Sequence, residues 1–246
     1  MAIDTSEHIV RREARVRATS VDFYFVAQLV LLLAVFVGFS KSLYLRPLFA
    51  GRPLPPVLYV HGAVLTLWFC LTVLQGWLVR THRYRVHRRM GFVIAGYATV
   101  VVVMGVIADF MLAAQIEAPK DPENIVVWGN LFSLVLFATF VTLALLLRRY
   151  SEAHKRLTLL ASISIVGPAL ARFSNWSLFP GGMEARPAYG TGGLLLLLLA
   201  LIVHDLVVRG RPHPVSWIGT LAMLASGGLA GYLTFSGLGH AILHGT

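Results

Sequence analysis

The sequence predicts an all-α, polytopic membrane protein: a seven-transmembrane-helix bundle with its N-terminus inside and its C-terminus outside. Three observations predict it. Of 246 residues, 57% are hydrophobic and 13% are charged, with a mean hydropathy of +0.74. Soluble domains carry about 25% charged residues, so this chain is too apolar for water. Seven apolar runs reach the ~20 residues that a helix needs to cross a bilayer core. Lysine and arginine gather on alternate connections, as the positive-inside rule requires. Strands of a membrane barrel would alternate polar and apolar residues, and no such alternation is present.

Residues 1–20 are polar, with Glu7, Glu13 and four arginines. They read as a cytoplasmic N-terminal segment and not as a cleavable signal peptide. Residues 21–246 then form one transmembrane domain. Its runs are approximately 22–40, 56–80, 90–113, 125–148, 156–178, 191–209 and 215–237. Turn chemistry separates them at Gly51-Arg-Pro-Leu-Pro-Pro56, Pro119-Lys-Asp-Pro122, Pro180-Gly-Gly182 and Gly210-Arg-Pro212.

With the N-terminus inside, fifteen lysines and arginines fall on inner segments and five on outer ones. Arg172 lies within a span. The acidic residues Glu117, Asp121, Glu123 and Glu184 fall outside. The formal net charge of +10 is thus explained by loops facing anionic lipid in a cell inner (plasma) membrane. The arginines trace no single groove, so no nucleic-acid partner is expected. Membrane lipid is the expected partner, together with a membrane-complex partner or a second copy of the chain. Cys70 is the sole cysteine, which rules out an intrachain disulfide and a multi-cysteine metal site.

The inner loops share a pattern. Arg80-Thr-His-Arg-Tyr-Arg-Val-His-Arg-Arg-Met-Gly91 is echoed by Arg148-Arg-Tyr-Ser-Glu-Ala-His-Lys-Arg-Leu157 and more weakly by Arg209-Gly-Arg-Pro-His213. Each ends an apolar run with arginine and places a histidine where the next helix begins. The pattern suggests three related hairpins added to the first helix.

Ionisable groups in hydrocarbon are functional candidates because each costs at least a few kcal/mol. They fall in two clusters. The inner one holds His87, His154, His204, Asp205 and His213. Here His87, His154 and His204 are candidate ligands of a haem whose propionates would meet neighbouring arginines. The bland alternative for His87 and His154 is headgroup or backbone contact at a helix start. The outer cluster holds His61, Asp109, His240 and His244, a ligand set acceptable to zinc or iron. Arg172 and Asn175 share one helical face, and Arg172 is expected to pair with Asp109, directly or through Asn175. Against these readings stand a frayed C-terminus for His240 and His244, and a structural hydrogen bond for His61. Gln75 shares the inward face of His61.

Other features read as packing. Gly227, Gly228 and Gly231 should admit a neighbouring helix, Pro168 should kink its helix, and Trp68, Trp77, Trp128, Trp176 and Trp217 should anchor span ends. Nucleotide-binding fingerprints, a nucleophile elbow and His-Glu-x-x-His are absent.

His61, Gln75, His87-Arg-Arg-Met-Gly91, His154-Lys-Arg-Leu157 and Arg172 resemble a group of bacterial predicted multi-pass membrane proteins of unknown function. The layout is also loosely similar to b-type membrane cytochromes, which implies haem b and a redox role. A histidine on the second helix, an aspartate on the third and His-x-x-x-His after the seventh resemble the adiponectin-receptor and alkaline-ceramidase superfamily. That likeness implies a zinc-dependent membrane hydrolase, with Val57 in place of the superfamily's serine and the cluster at the opposite face. The third possibility is a non-catalytic accessory subunit, or a membrane protein that binds lipid or another small molecule.

Overall fold

The computed structural model describes residues 22–49, 52–119, 121 and 123–245; the segment 1–20 lies outside them. Seven helices are long and apolar enough to cross a membrane. They are α1 (Asp22–Tyr44), α2 (Pro56–Arg80), α3 (Tyr84–Ala113), α4 (Asn124–Leu146), α5 (Ser151–Asn175), α6 (Arg186–Arg209) and α7 (Pro214–Ser236). A short α8 (Leu238–His244) follows. Among the described residues there is no strand. In lipid every backbone N–H and C=O must be satisfied within the segment, so apolar runs of this length become helices.

The boundaries follow from local chemistry. Pro56 and Pro214 open α2 and α7, where the missing N–H is harmless. Gly210 (φ 73°) and Gly237 (φ 79°) close α6 and α7 in the left-handed conformation, which glycine adopts without a Cβ penalty. Two helices begin earlier than the apolar runs predicted. α3 starts at Tyr84 and α5 at Ser151, so their basic first turns are helical and not loop. His87 and His154 therefore sit inside helices.

Helix α5 is the hub. In its most apolar window 67% of residues are buried, against 33% or less in the other six. It packs against α4, α6 and α7. It also meets α1, where a Cβ added at Gly38 would lie 2.2 Å from the Ala169 carbonyl oxygen. Small residues Ala161, Ser162, Ser164 and Ala169 permit this crowding. Pro168 sits inside α5, and the helix tightens to a 3-10 turn at Arg172–Asn175. Large apolar side chains face outward on the other helices, Val93, Leu196 and Val207 among them. An apolar surface of this extent belongs against lipid.

Two packing expectations are corrected. Trp68 is not an interfacial anchor: it is 2% exposed, meets Phe137 edge-on at 4.7 Å and donates to Ser162 Oγ at 3.3 Å. An indole near mid-helix finds its polar partner on α5, so it belongs to the core. Gly227, Gly228 and Gly231 admit no neighbouring helix of this chain, since a Cβ at each would meet no atom within 4 Å among the described residues. Helix α7 instead uses Gly219, packed on Leu160, to approach α5.

Candidate functional site

At the end of the bundle that carries the basic loops, Arg156 and Asp205 form a buried ion pair. Their side chains are 1% and 0% exposed. Arg156 Nε donates to Asp205 Oδ1 at 3.0 Å, and the Nη2 group binds the same oxygen. The second carboxylate oxygen accepts the Ser216 hydroxyl at 2.6 Å and the His213 backbone N–H at 3.0 Å. One carboxylate thus joins α5, α6 and the start of α7, and it lies at a helix N-terminus where negative charge is favoured. Arg156 Nη1 donates to the Glu152 side chain and carbonyl, each at 2.7 Å. On the α1 side, Tyr24 places its ring 5.7 Å from the Arg156 guanidinium.

His213 lies between spans and caps α7. Its Nδ1 accepts the Val215 N–H at 3.1 Å. Burial, together with the guanidiniums of Arg156 and Arg209, lowers its pKa below the ordinary imidazole value. A cap that accepts through Nδ1 needs the neutral ring.

In the first turns of two neighbouring helices at the same end, His87 on α3 and His154 on α5 meet. Their ring centroids are 6.3 Å apart and their planes stand at 88°. His154 Nδ1 donates to the Ala144 carbonyl at 2.8 Å, which leaves Nε2 outside that bond. His87 Nδ1 is buried and has no hydrogen-bond partner. The backbone of Gln75 adjoins His87, and both amide atoms of the Gln75 side chain are buried and unpartnered. Buried polar atoms are almost always hydrogen-bonded, so this concentration of orphans needs a physical explanation. His204 does not join the pair. Its ring stacks on Phe23 at 3.8 Å and 3° and meets Tyr24 edge-on.

The other end is arranged differently from expectation. Asp109 is 5% exposed and accepts from Asn130 Nδ2 at 2.8 Å. It makes no ion pair with Arg172. Depth alone suggested the pair, but Asp109 turns toward α4. Arg172 lies over the Phe39 ring at 4.5 Å and donates to the Pro168 carbonyl at 2.7 Å. Asn175 binds Arg186 Nη2 through its side-chain oxygen at 3.2 Å and Lys41 Nζ through its carbonyl at 3.1 Å. His61 Nδ1 donates to the Met104 carbonyl at 3.0 Å. His240 and His244 stack on each other at 4.2 Å within α8. Among the described residues no three His, Cys, Asp or Glu side chains converge as metal ligands. The set His61, Asp109, His240 and His244 is therefore not assembled.

Sequence reasoning missed the roles of Arg156, Tyr24 and Ser216. Arg156 reads from the sequence as one more basic residue at the inner end of a span, although Asp205, an intramembrane carboxylate near that face, needs a cation. The fold and these buried polar groups define a multi-pass, all-helical membrane protein. Compared with protein families, curated proteins and solved structures, the chain finds no match.

Proposed function

We propose that this chain is an inner-membrane protein that holds a b-type haem, or a single iron, between His87 and His154 and serves electron transfer. The observation that carries the reading is the geometry of that pair. With metal–nitrogen bonds of about 2 Å, two imidazoles on opposite sides of one ion hold their centroids roughly 6 Å apart. The observed 6.3 Å is compatible with that spacing. The nitrogens favour ligation. A ligating imidazole usually has its second nitrogen tied to a carbonyl or carboxylate, as the Ala144 carbonyl ties His154. The buried, unpartnered Nδ1 of His87 would be the second ligating nitrogen. Arg88 and Arg89, next in sequence, are exposed at the same end and suit carboxylates such as haem propionates.

Haem, when bound, would supply one-electron chemistry. The residues of the chain would orient it: Ala144 fixes the His154 tautomer, and the α4–α5 packing fixes the ring. His204, stacked on Phe23, has no part in this reading. An absorbance spectrum and metal analysis of the gently purified protein test it. A Soret band with stoichiometric iron is the expected result; a protein free of iron and haem absorbance overturns it.

A second reading is an accessory membrane subunit. It is favoured by the outward face of Gly227 and Gly231, whose small residues have no neighbour within the described chain. Cross-linking in native membranes tests it, with a discrete adduct through α7 as the expected result.

A further inference from the structure

The unmade ion pair of Arg172 has a chemical consequence at the end of the bundle opposite the basic loops. Three cations converge there on one turn. Arg172 and Asn175 bound the 3-10 turn that ends α5. Lys41, from the end of α1, reaches the Asn175 carbonyl at 3.1 Å. Arg186, at the start of α6, reaches the Asn175 side chain at 3.2 Å. Among the described residues no carboxylate forms an ion pair with any of the three cations. Glu184, two residues before Arg186, is exposed and makes no such pair.

Like charges gathered in a partly dry setting repel one another and forfeit hydration, so they need a counter-charge. The donors are also under-used. Arg172 is half-buried, and among the described residues its side chain makes one hydrogen bond to protein, from Nη1 to the Pro168 carbonyl. Arg186 Nε is buried and has no acceptor. An arginine fork presents paired N–H groups that match phosphate oxygens, and the lysine adds a point charge. Aromatic rings complete the setting. Phe39 lies under Arg172, while Trp176 and Phe49 lie 4.4 and 5.4 Å from the Lys41 ammonium. Exposed Leu178 extends the apolar rim. A charged head beside an apolar rim at a bilayer boundary fits an amphiphile.

We propose that Lys41, Arg172 and Arg186, gathered around Asn175, form a binding site for a monoanionic phosphate group of the kind an anionic phospholipid carries. The site stands apart from the imidazole pair and does not depend on it. Asn175 holds the lysine and one arginine in place, and the Phe39 ring packs against the Arg172 guanidinium.

The test is native mass spectrometry of the full chain in detergent, titrated with phosphatidylglycerol, with phosphatidylcholine and with inorganic phosphate. One phosphatidylglycerol is expected to be retained in preference to phosphatidylcholine. Arg172→Gln should weaken that retention about tenfold or more, the scale of one lost charge-assisted contact. Arg186→Gln and Lys41→Gln should weaken it in the same direction, and they serve if Arg172→Gln does not fold. Arg148→Gln, at the basic-loop end, should leave it unchanged. Displacement of the lipid by millimolar inorganic phosphate would support the site while assigning it to a soluble phosphate. Equal retention by wild type and all three site variants would overturn the proposal. So would the absence of any preference over phosphatidylcholine combined with no binding of phosphate.

Discussion

Asp205 on α6 receives Arg156 from α5 in the bundle interior, and the same carboxylate also receives Ser216 and the His213 N–H from the start of α7. Every acceptor direction of one buried anion is thereby used, and three helices are locked in register. Removing either charged partner alone leaves the other buried and uncompensated. Arg156→Met and Asp205→Leu should each cost about 3–5 kcal/mol, whereas the double substitution should cost less than their sum. Thermal unfolding in detergent checks this as a double-mutant cycle. Purely additive losses would show that the pair does not couple α5 to α6.

The cap at His213 makes stability depend on pH. Its pKa is lowered in the folded protein, so the unfolded chain binds the proton more readily. The stabilisation is present in full above the unfolded value of about 6.5 and is lost as pH falls through the lower folded value. The melting temperature of the wild type should therefore fall below about pH 6.5. His213→Asn, which can still cap through its side-chain oxygen, should remove part of that dependence. Identical pH profiles for the two proteins would exclude His213 as the titrating group.

Asp109 and Arg172 should behave independently. Asp109 bonds to Asn130 and Arg172 to the Pro168 carbonyl. In a cycle of Asp109→Asn and Arg172→Gln, the losses should add to within about 0.3–0.5 kcal/mol, as for sites without shared partners. A coupling of several times that size would restore the ion pair expected from depth alone.

The contact between α1 and α5 is set by Gly38. A methyl group there would lie 2.2 Å from the Ala169 oxygen, which is backbone and has little room to yield. Gly38→Ala should destabilise the bundle by about 1–3 kcal/mol through overpacking. Gly227→Ala should be nearly neutral in the isolated chain, since its Cβ would meet nothing. Melting temperatures of the two variants check the contrast.

The seven spans were legible because hydrocarbon demands long apolar helices whatever the tertiary arrangement. The starts of α3 and α5 were legible to within a turn, because the basic pattern puts a helix start at His87 and His154 while the helices begin at Tyr84 and Ser151. The Arg156–Asp205 pair spans 49 positions in sequence and depends on helix rotation, which hydropathy does not encode. The same blindness produced the expected Asp109–Arg172 pair. Depth was read from position in the span, but Asn130 on α4 was not weighed as a competing partner. His87 and His154 were named from their place in the basic pattern. Their approach to each other rests on the packing of α3, α4 and α5, and only the fold displays it.

The central claim is tested most directly by reduced-minus-oxidised absorbance spectra of the purified wild type and of His87→Ala, His154→Ala and His240→Ala. A Soret shift with sharp α and β bands is expected in the wild type and in His240→Ala, with loss of both in His87→Ala and His154→Ala at unchanged yield of folded protein. A haem spectrum that survives both the His87 and His154 substitutions, or a wild type with no such spectrum and no bound iron, would contradict the assignment of that pair.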